Sequence, residues 1–384
     1  MNAYIVQAVR TAGGRRNGKL ADWHPADMAG EVLNALVNRT GIDPAAIDDV
    51  IMGCVSQVGQ QSFHVGRNAV LASKLPDSVP AVSIDRQCGS SQQALHFAAQ
   101  AVMSGMQDVV IAAGVESMTR VPIGSPTSLA VNAGLGGPWS DRILKRYGVE
   151  QFSQFIGAQM LADKHGLTRE QLDTYALRSH ERAAAATRSG AFSQEIIPLP
   201  IKGGVHTVDE GIRFDASLKA IGATKLLREG GMLTAANSSQ ICDGAAGVLV
   251  ANEQALRTHG LAPLARILQL TVTAGDPVLM LEEPISATRR ALERCGMRLE
   301  DIDLFEVNEA FASVSLAWLK VLQTDPNRVN VNGGAIALGH PLGATGAKLM
   351  TTLVHALRAR GKRFGLQVMC EGGGLANATI VEAL

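Results

Sequence analysis

Two cysteines stand where a thiol could act as a chemical reagent. Cys88 lies in the stretch SIDRQCGSSQQALHFAAQ (83–100), between an apolar strand pattern and a helix pattern built from small residues. A thiol at a helix N-terminus feels the positive end of the helix dipole, which favours the thiolate, the nucleophilic form of cysteine. A buried structural cysteine is the alternative interpretation, and it is the commoner fate of a free cysteine.

The second cysteine, Cys370, ends an apolar run and is followed by three glycines in QVMCEGGG (367–374). Glycines leave backbone N–H groups accessible and give a ligand room to approach. The pattern is typical either of a core cysteine beside a tight turn or of a reactive thiol surrounded by bare backbone. This segment alone leaves both interpretations open.

An imidazole and an amide could complete such a site. His340 lies in the glycine-rich loop of NGGAIALGHPLGATGAK (332–348), which lacks the Gly-Lys-Ser/Thr of a phosphate-binding loop. Asn308, in FEVNEAFA, stands where a strand pattern passes into a helix pattern, so it could also be an ordinary helix cap. Two thiols, an imidazole and an amide together indicate a cysteine nucleophile with a separate acid and base.

The elements that would position these groups follow an α/β pattern. Short apolar runs alternate with helix patterns, and VVIAAG (109–114) predicts a buried strand. Asp27 is predicted to cap a helix that ends before Gly41. The buried strands and alternating helices predict an α/β fold class.

The chain also contains a weak internal repeat. Residues 38–53 resemble residues 293–308, and in each half a glycine-rich loop, a helix of small residues and a strand follow, over 85–115 and 332–370. Convergence of two ordinary βα units is the alternative. The matching order of the two stretches favours duplication.

Between the halves, residues 117–240 change character. A Gly-, Pro- and Ser-rich stretch precedes a clear helix pattern, in which Thr168 and Gln171 predict a capping box. Because long irregular segments in compact proteins usually serve binding, we interpret this region as an inserted loop domain.

Composition excludes several classes of protein. Among 384 residues, 35 basic and 35 acidic side chains give a net charge of zero, which argues against bulk binding of nucleic acid or anionic membranes. The five scattered cysteines contain no CxxC pair, so we expect neither a disulfide framework nor a zinc site. No apolar run reaches membrane-spanning length. We predict a cytoplasmic protein.

With these residues in view, the chain resembles the thiolases, a family of acyl-CoA acyltransferases. GGAIALGHPLGATGAK and CEGGG carry the resemblance, and GVESMT, DGAAG and NEAFA support it in the expected order. The resemblance implies two duplicated α/β halves that form a five-layered αβαβα core with an inserted loop domain. It divides the chain into an N-terminal half (1–116 plus 241–262), a loop domain (117–240) and a C-terminal half (263–384).

The resemblance also implies roles for individual residues. Cys88 matches the acyl-accepting nucleophile, His340 matches its base, and Cys370 matches the acid/base that moves a proton at the α-carbon of acetyl-CoA. Asn308 matches the residue that holds a water which, together with His340, stabilises an enolate. The backbone N–H of Gly372, with that of Cys88, matches the oxyanion hole.

Further positions match those expected to contact the substrate. Ser239 would meet the pantetheine arm of coenzyme A, and Ala310 and Phe311 would line the same pocket. The implied activity is thiolysis of 3-oxoacyl-CoA by ping-pong chemistry, with CoA as co-substrate and no metal or permanently bound cofactor. The family further implies a homodimer or homotetramer.

The chain departs from its relatives around Asp85, at Ala236 and over residues 120–156. These departures favour a bulky or medium-to-long acyl group in a degradative pathway over acetoacetyl-CoA alone. Three alternatives remain open: a biosynthetic acetoacetyl-CoA thiolase, a decarboxylating ketoacyl synthase, and an inactive acyl-CoA-binding scaffold. The second thiol, Cys370, argues against a synthase, and the presence of all four matched side chains argues against an inactive scaffold.

Overall fold

The computed structural model describes residues 1–384. It contains thirteen strands: β1 (Ala3–Thr11), β2 (Gly14–Arg15), β3 (Asp49–Gly53), β4 (Ala81–Ile84), β5 (Val109–Ser117), β6 (Ile196–Ile197), β7 (Leu199–Ile201), β8 (Gly204–His206), β9 (Cys242–Ala251), β10 (Ala265–Ala274), β11 (Leu304–Val307), β12 (Phe364–Glu371) and β13 (Leu375–Ala383). It contains thirteen α-helices: α1 (Pro25–Thr40), α2 (Val65–Leu71), α3 (Ser90–Ser104), α4 (Ser125–Asn132), α5 (Asp141–Tyr147), α6 (Gln154–Lys164), α7 (Arg169–Arg188), α8 (Leu218–Gly222), α9 (Glu253–Thr258), α10 (Pro284–Cys295), α11 (Ala312–Leu322), α12 (Ala335–Leu338) and α13 (Thr345–Ala359).

The sheet repeats one pattern on either side of a seam. Its strand order is β11-β12-β13-β10-β1-β9-β5-β3-β4, and β1 meets β10 over a short antiparallel pairing. Outward from β1, strand β9 is antiparallel to β1, β5 is antiparallel to β9, and β3 is parallel to β5. Outward from β10, strands β13, β12 and β11 repeat this order of antiparallel, antiparallel and parallel pairing. The predicted duplication is therefore confirmed.

The helices arrange the two half-sheets into five layers. Helix α1 covers the outer face of the first half-sheet, and α10 covers the outer face of the second. Helices α3 and α13 lie between the half-sheets, where their apolar side chains share one core with β1, β5 and β9. The αβαβα architecture implied by the family resemblance is confirmed.

The two central helices approach each other closely because glycine and small residues line their contact. A Cβ atom on Gly346 would lie 2.2 Å from the backbone nitrogen of Gln92, so only glycine fits there. Nearby, the Ala347 amide donates a 2.9 Å hydrogen bond to the Ser91 hydroxyl. This packing brings the loop before α13, which carries His340, close to the start of α3, which Cys88 immediately precedes.

A long segment separates the last strand of the first repeat from β9. Between Ser117 and Cys242 the chain forms helices α4 to α8 and three short strands. The predicted capping box of Thr168 and Gln171 is present at the start of α7. The division of the chain into two halves and a loop domain remains a prediction, as do its boundaries.

The first helix differs from prediction at its start. Helix α1 begins at Pro25, and the His24 ring accepts a hydrogen bond from the Ala26 amide, so Asp27 lies within the first turn and is not the cap. A proline at the first helical position favours this earlier start because its missing N–H is not needed there. The predicted end is correct, since Gly41 is the left-handed C-cap with φ 69°. None of the helices combines the length and apolarity needed to cross a bilayer.

Candidate active site

Cys88 lies immediately before Gly89, the N-cap of α3, and its side chain is buried. Burial, followed by the charge of the neighbouring Glu371 carboxyl, raises the pKa of the Cys88 thiol to about 12. Burial therefore favours the neutral thiol in the resting chain, whereas the position before a helix favours the thiolate. Nucleophilic attack by Cys88 requires a base.

Cys370 is the next-to-last residue of β12 and is 1% exposed. Its side chain belongs to an apolar cluster with Ala310, Phe311 and Ile336. Burial, followed by the charge of Cys88, raises the pKa of the Cys370 thiol well above its ordinary value. The two thiols are 282 positions apart in the chain, yet they are near neighbours, because Gly89 beside Cys88 packs directly against Glu371 beside Cys370.

The His340 ring is held in one tautomer. Its Nδ1 lies 2.6 Å from the Thr345 hydroxyl, which itself donates to the Pro341 carbonyl. Because that hydroxyl proton is already used, Nδ1 must donate and Nε2 carries the free lone pair. Nε2 is buried without a hydrogen-bond partner, and burial lowers the pKa of the ring to about 3. The imidazole is neutral and its basic nitrogen is unoccupied.

The backbone before His340 is fixed by close contacts. Gly339 has φ 81°, and a Cβ atom there would lie 2.6 Å from the Cys242 sulfur, so no other residue fits. The buried Lys348 ammonium donates to the carbonyls of Leu338 and Gly339, at 2.5 and 3.3 Å. These contacts hold the imidazole in one place.

Asn308 follows β11, and its backbone N–H donates a hydrogen bond to the Val368 carbonyl at 3.0 Å. Both polar atoms of its side chain are buried and have no partner in the chain. Helix α11 begins four residues later with Phe311 at its N-cap, so Asn308 is not a helix cap. A buried amide without partners indicates a group prepared for a ligand or an ordered water.

Two backbone amides are available at the same place. The N–H groups of Cys88 and Gly372 donate no hydrogen bond to the backbone. A Cβ atom on Gly372 would lie 3.0 Å from the Gln87 side chain, so the residue before Cys88 packs against the glycine turn. The two glycines after it have φ of 85° and 76°, values that favour glycine.

A cavity of about 940 Å³ opens above Cys88 and Gly372. Its walls come largely from the segment after β5, and Trp139 and Tyr147 each lie 5.6 Å, ring to ring, from Phe152. Two arginines also line it, Arg142 and Arg146. The cavity therefore has a floor formed by Cys88 and Gly372 and an aromatic wall formed by Trp139, Tyr147 and Phe152.

The predicted substrate-contacting residues lie outside this cavity. Ala310 and Phe311 are buried in the cluster that holds Cys370, and Ser239 donates its amide to the Ala310 carbonyl at 2.9 Å. None of the three lines the large cavity. Their contact with substrate remains a prediction.

Two buried glutamates, to which the sequence assigned no role, hold the loops of the site. Glu116 accepts hydrogen bonds from the amides of Val55, Ser56 and Gly343 and from the Gln61 side chain. Glu309 accepts hydrogen bonds from four donors on three segments: Tyr175, Ser179, Asn330 and Ile336. Glu116 lies in GVESMT and Glu309 lies in NEAFA, two motifs that support the family resemblance. These motifs were the sequence signal that could have identified the two glutamates.

No group of three or more His, Cys, Asp or Glu side chains is arranged to hold a metal ion. All five cysteines are free thiols.

Comparison with known proteins matches two family descriptions. "Thiolase, N-terminal domain" matches residues 3–254, and "Thiolase, C-terminal domain" matches residues 261–383. A protein of Mycobacterium tuberculosis named steroid 3-ketoacyl-CoA thiolase FadA6 is 52% identical, over all of this chain and 94% of that protein. A 3-ketoacyl-CoA thiolase of Yersinia pestis is 40% identical, over the full length of both chains.

Solved structures give the same result. An acetyl-CoA acetyltransferase of Bacillus anthracis superposes with a TM-score of 0.91 at 36% identity, covering 100% of this chain and 99% of that one. The human mitochondrial 3-ketoacyl-CoA thiolase superposes with a TM-score of 0.89 at 34% identity, covering 100% and 98%. Sequence matches over both halves and superposition over the whole chain agree, and the chain therefore belongs to the thiolase family.

Proposed function

We propose that this chain is an acyl-CoA C-acyltransferase that cleaves 3-oxoacyl-CoA with coenzyme A, through an acyl group carried on Cys88. The observation that carries the proposal is the pairing of two neighbouring buried thiols with a neutral imidazole whose Nε2 is free. One thiol cannot hold the acyl group and also transfer a proton, so the reaction requires both.

In the first step the Cys88 sulfur bonds to the ketone carbon of the substrate, and its proton passes to His340 Nε2. The ketone oxygen becomes an oxyanion, for which the free amides of Cys88 and Gly372 are donors. Donors held in place before the reaction stabilise such an intermediate without reorganising, which is usually a large contribution to acyl transfer.

In the second step the bond between the α- and β-carbons breaks. Its electron pair passes to the acetyl-CoA fragment as an enolate, whose oxygen is stabilised by protonated His340 and by a water held on Asn308. The Cys370 thiol then protonates the α-carbon, and acetyl-CoA leaves. Free CoA gives its proton to the Cys370 thiolate, and the resulting CoA thiolate attacks the acyl carbon on Cys88. The Cys88 thiolate leaves and takes back its proton from protonated His340, which completes a ping-pong cycle.

The cavity supports a substrate larger than acetoacetyl-CoA. Its volume of about 940 Å³ and its aromatic wall suit a bulky apolar acyl group. The Mycobacterium tuberculosis relative is named a steroid 3-ketoacyl-CoA thiolase. We therefore propose degradative thiolysis of bulky or medium-to-long 3-oxoacyl-CoA esters, with CoA as co-substrate and no permanently bound cofactor.

A thiolysis panel tests this proposal. Purified enzyme is incubated with CoA and 3-oxoacyl-CoA esters of increasing chain length and with cyclic 3-oxoacyl-CoA esters. We expect kcat/KM to rise from acetoacetyl-CoA to the bulky esters, and acyl-CoA to label Cys88 in peptide mapping. An unlabelled Cys88 during turnover would overturn the mechanism.

The second candidate is an acetoacetyl-CoA-forming thiolase, which the superposition with the acetyl-CoA acetyltransferase of Bacillus anthracis favours. In the same panel it would give the highest kcat/KM with acetoacetyl-CoA. That result would overturn the substrate class and leave the mechanism intact.

We also propose a homodimer or homotetramer in the cytoplasm. Strand β4 supports self-association because it forms one edge of the sheet, and Val82 on it is 40% exposed. Light scattering coupled to size-exclusion chromatography measures the mass of the assembly. A monomer at micromolar concentration would contradict this part of the proposal, and cell fractionation tests the location.

A further inference from the structure

One buried carboxyl group beside the nucleophile has no part in the cycle above. Glu371 is the residue after Cys370, its side chain is fully buried, and neither carboxyl oxygen has a hydrogen-bond partner. Buried carboxylates are normally paired or hydrogen-bonded, because an isolated charge is costly to remove from water. The absence of partners indicates a group that is neutral in the resting chain.

The carboxyl group lies against the start of α3. A Cβ atom on Gly89 would fall 1.8 Å from Glu371 Oε1, so glycine at this position is required for the carboxyl group to fit. Residues alternate in direction along β12, which places Glu371 on the same face as Met369. Met369 belongs to the apolar cluster that contains Cys88, whereas Cys370 belongs to a different cluster. Glu371 therefore faces the nucleophile.

The charged and titratable groups around Glu371 come from each element packed against it. Arg86 precedes α3 and partly offsets the effect of burial on Glu371, although its own Nε is buried without a partner. His96 on α3 is neutral, since burial lowers its pKa to about 3. Cys88 and Cys370 are the two neighbouring thiols, and a charge on Glu371 raises the pKa of both.

We propose that Glu371 is a positioning residue that sets the reactivity of Cys88 through its own proton. When the carboxyl group is protonated, Cys88 can transfer its proton to a base without electrostatic opposition. When that proton is lost, the carboxylate opposes a second negative charge on the adjacent sulfur. This rests on the proposed function, in which Cys88 is the nucleophile.

The direction of the pH effect follows from the environment of the group. Burial raises the pKa of Glu371 from 4.5 to about 8, so the carboxyl group is neutral below neutral pH and charged in alkaline solution. Ordinarily a thiol becomes steadily more reactive as pH rises, because its thiolate fraction grows. In this chain the increase should be suppressed above the pKa of Glu371.

The rate of Cys88 alkylation by iodoacetamide, followed by peptide mass mapping, tests this inference without any substrate. The matched variant is Glu371→Gln, a neutral side chain of the same shape at every pH. We expect the variant and the parent chain to react at rates within about twofold at about pH 6.5, and the variant to react about tenfold faster at about pH 9, as for a one-unit change in thiol pKa.

Glu306→Gln is the control, because Glu306 is also a buried acid with a raised pKa but does not influence Cys88. It should follow the parent profile. If Glu371→Gln does not fold, Glu371→Met supplies a second uncharged side chain, and the parent chain alone should show a rate that rises less than tenfold per unit above about pH 8.

Coincident pH profiles of the parent and Glu371→Gln would overturn the inference, and so would an equal rate loss at every pH, which marks a packing role. Failure of the proposed function looks different, because an enzyme that forms no acyl-Cys88 would still show the alkylation profile. The thiolysis panel and the alkylation experiment therefore fail independently.

Discussion

The floor and the wall of the cavity come from different kinds of segment. The floor, at Cys88 and Gly372, comes from the start of a core helix and the end of a core strand, and the backbone N–H groups of both residues donate to no backbone carbonyl. The wall comes from the segment after β5, where Trp139 and Tyr147 remain 37% and 38% exposed. Rigid packing thus surrounds the reacting groups, while an irregular segment surrounds the substrate.

This difference separates catalysis from selection. A site built on packed strand ends keeps its geometry because many neighbours must move before it does. A wall built on connecting segments can change its side chains without disturbing the core. We therefore expect floor substitutions to reduce turnover with every substrate, and wall substitutions to change the preference among substrates.

The largest effect should come from Cys88→Ser. Without the thiol no acyl-enzyme forms, and kcat should fall by at least about 10⁴-fold for every 3-oxoacyl-CoA. Steady-state thiolysis and intact-mass analysis measure the two losses. Cys295→Ser is the control, since Cys295 lies on the outer helix α10 and should retain full activity. Retention of acyl labelling by the Cys88 variant would contradict the assigned nucleophile.

Cys370→Ser should divide the two half-reactions. The variant should lose about 10³-fold in exchange of the α-proton of acetyl-CoA, the range typical of a lost acid/base group. Acylation of Cys88 should fall much less, because His340 serves that step. Deuterium exchange by NMR and acyl labelling by mass spectrometry give the two rates. Equal losses in both would show that Cys370 has a different role.

Trp139→Ala tests the wall. We expect kcat/KM for bulky acyl esters to fall about tenfold and that for acetoacetyl-CoA to change little, because truncation of an apolar pocket removes about 1–3 kcal/mol of binding. Phe63→Ala is the control, since Phe63 is 92% exposed and does not line the cavity. A uniform loss across substrates would mean that wall and floor are not separate.

Glu371→Gln should have the smallest effect on turnover, but it should change how stability depends on pH. Because the pKa of Glu371 in the folded chain is raised to about 8, its contribution to stability is complete below about pH 4.5 and is lost as pH rises through 8. The variant lacks this loss, so its advantage in unfolding free energy should grow to as much as about 5 kcal/mol by about pH 9. Urea denaturation at several pH values measures it, and a constant difference would contradict the buried neutral acid.

Much of this was accessible from the sequence because it depends on local pattern. The end of α1 at Gly41, the capping box of Thr168 and the strand that begins at Val109 were predicted from residue types alone. The cap at Asp27 was wrong, because a proline at Pro25 begins the helix earlier and the His24 ring caps it. Local rules identify elements reliably and their first residues less so.

The state of the nucleophile was beyond the sequence. The position of Cys88 before a helix suggested a thiolate, but its pKa depends on how deeply it is buried and on Glu371, which is 283 positions away in the chain. Desolvation and charge act through space, so no spacing rule contains them.

The sequence by itself determined the alternation of strands and helices, the internal duplication, and the residue types available for chemistry. These follow from side-chain periodicity and from short motifs that each carry their own geometry. Only the tertiary structure decided that Cys88 and Cys370 are neighbours, that His340 offers its Nε2, and that Glu371 fills the space left by Gly89. Those facts depend on the close packing of α3 and α13 between two half-sheets, where contacts join residues far apart in the chain.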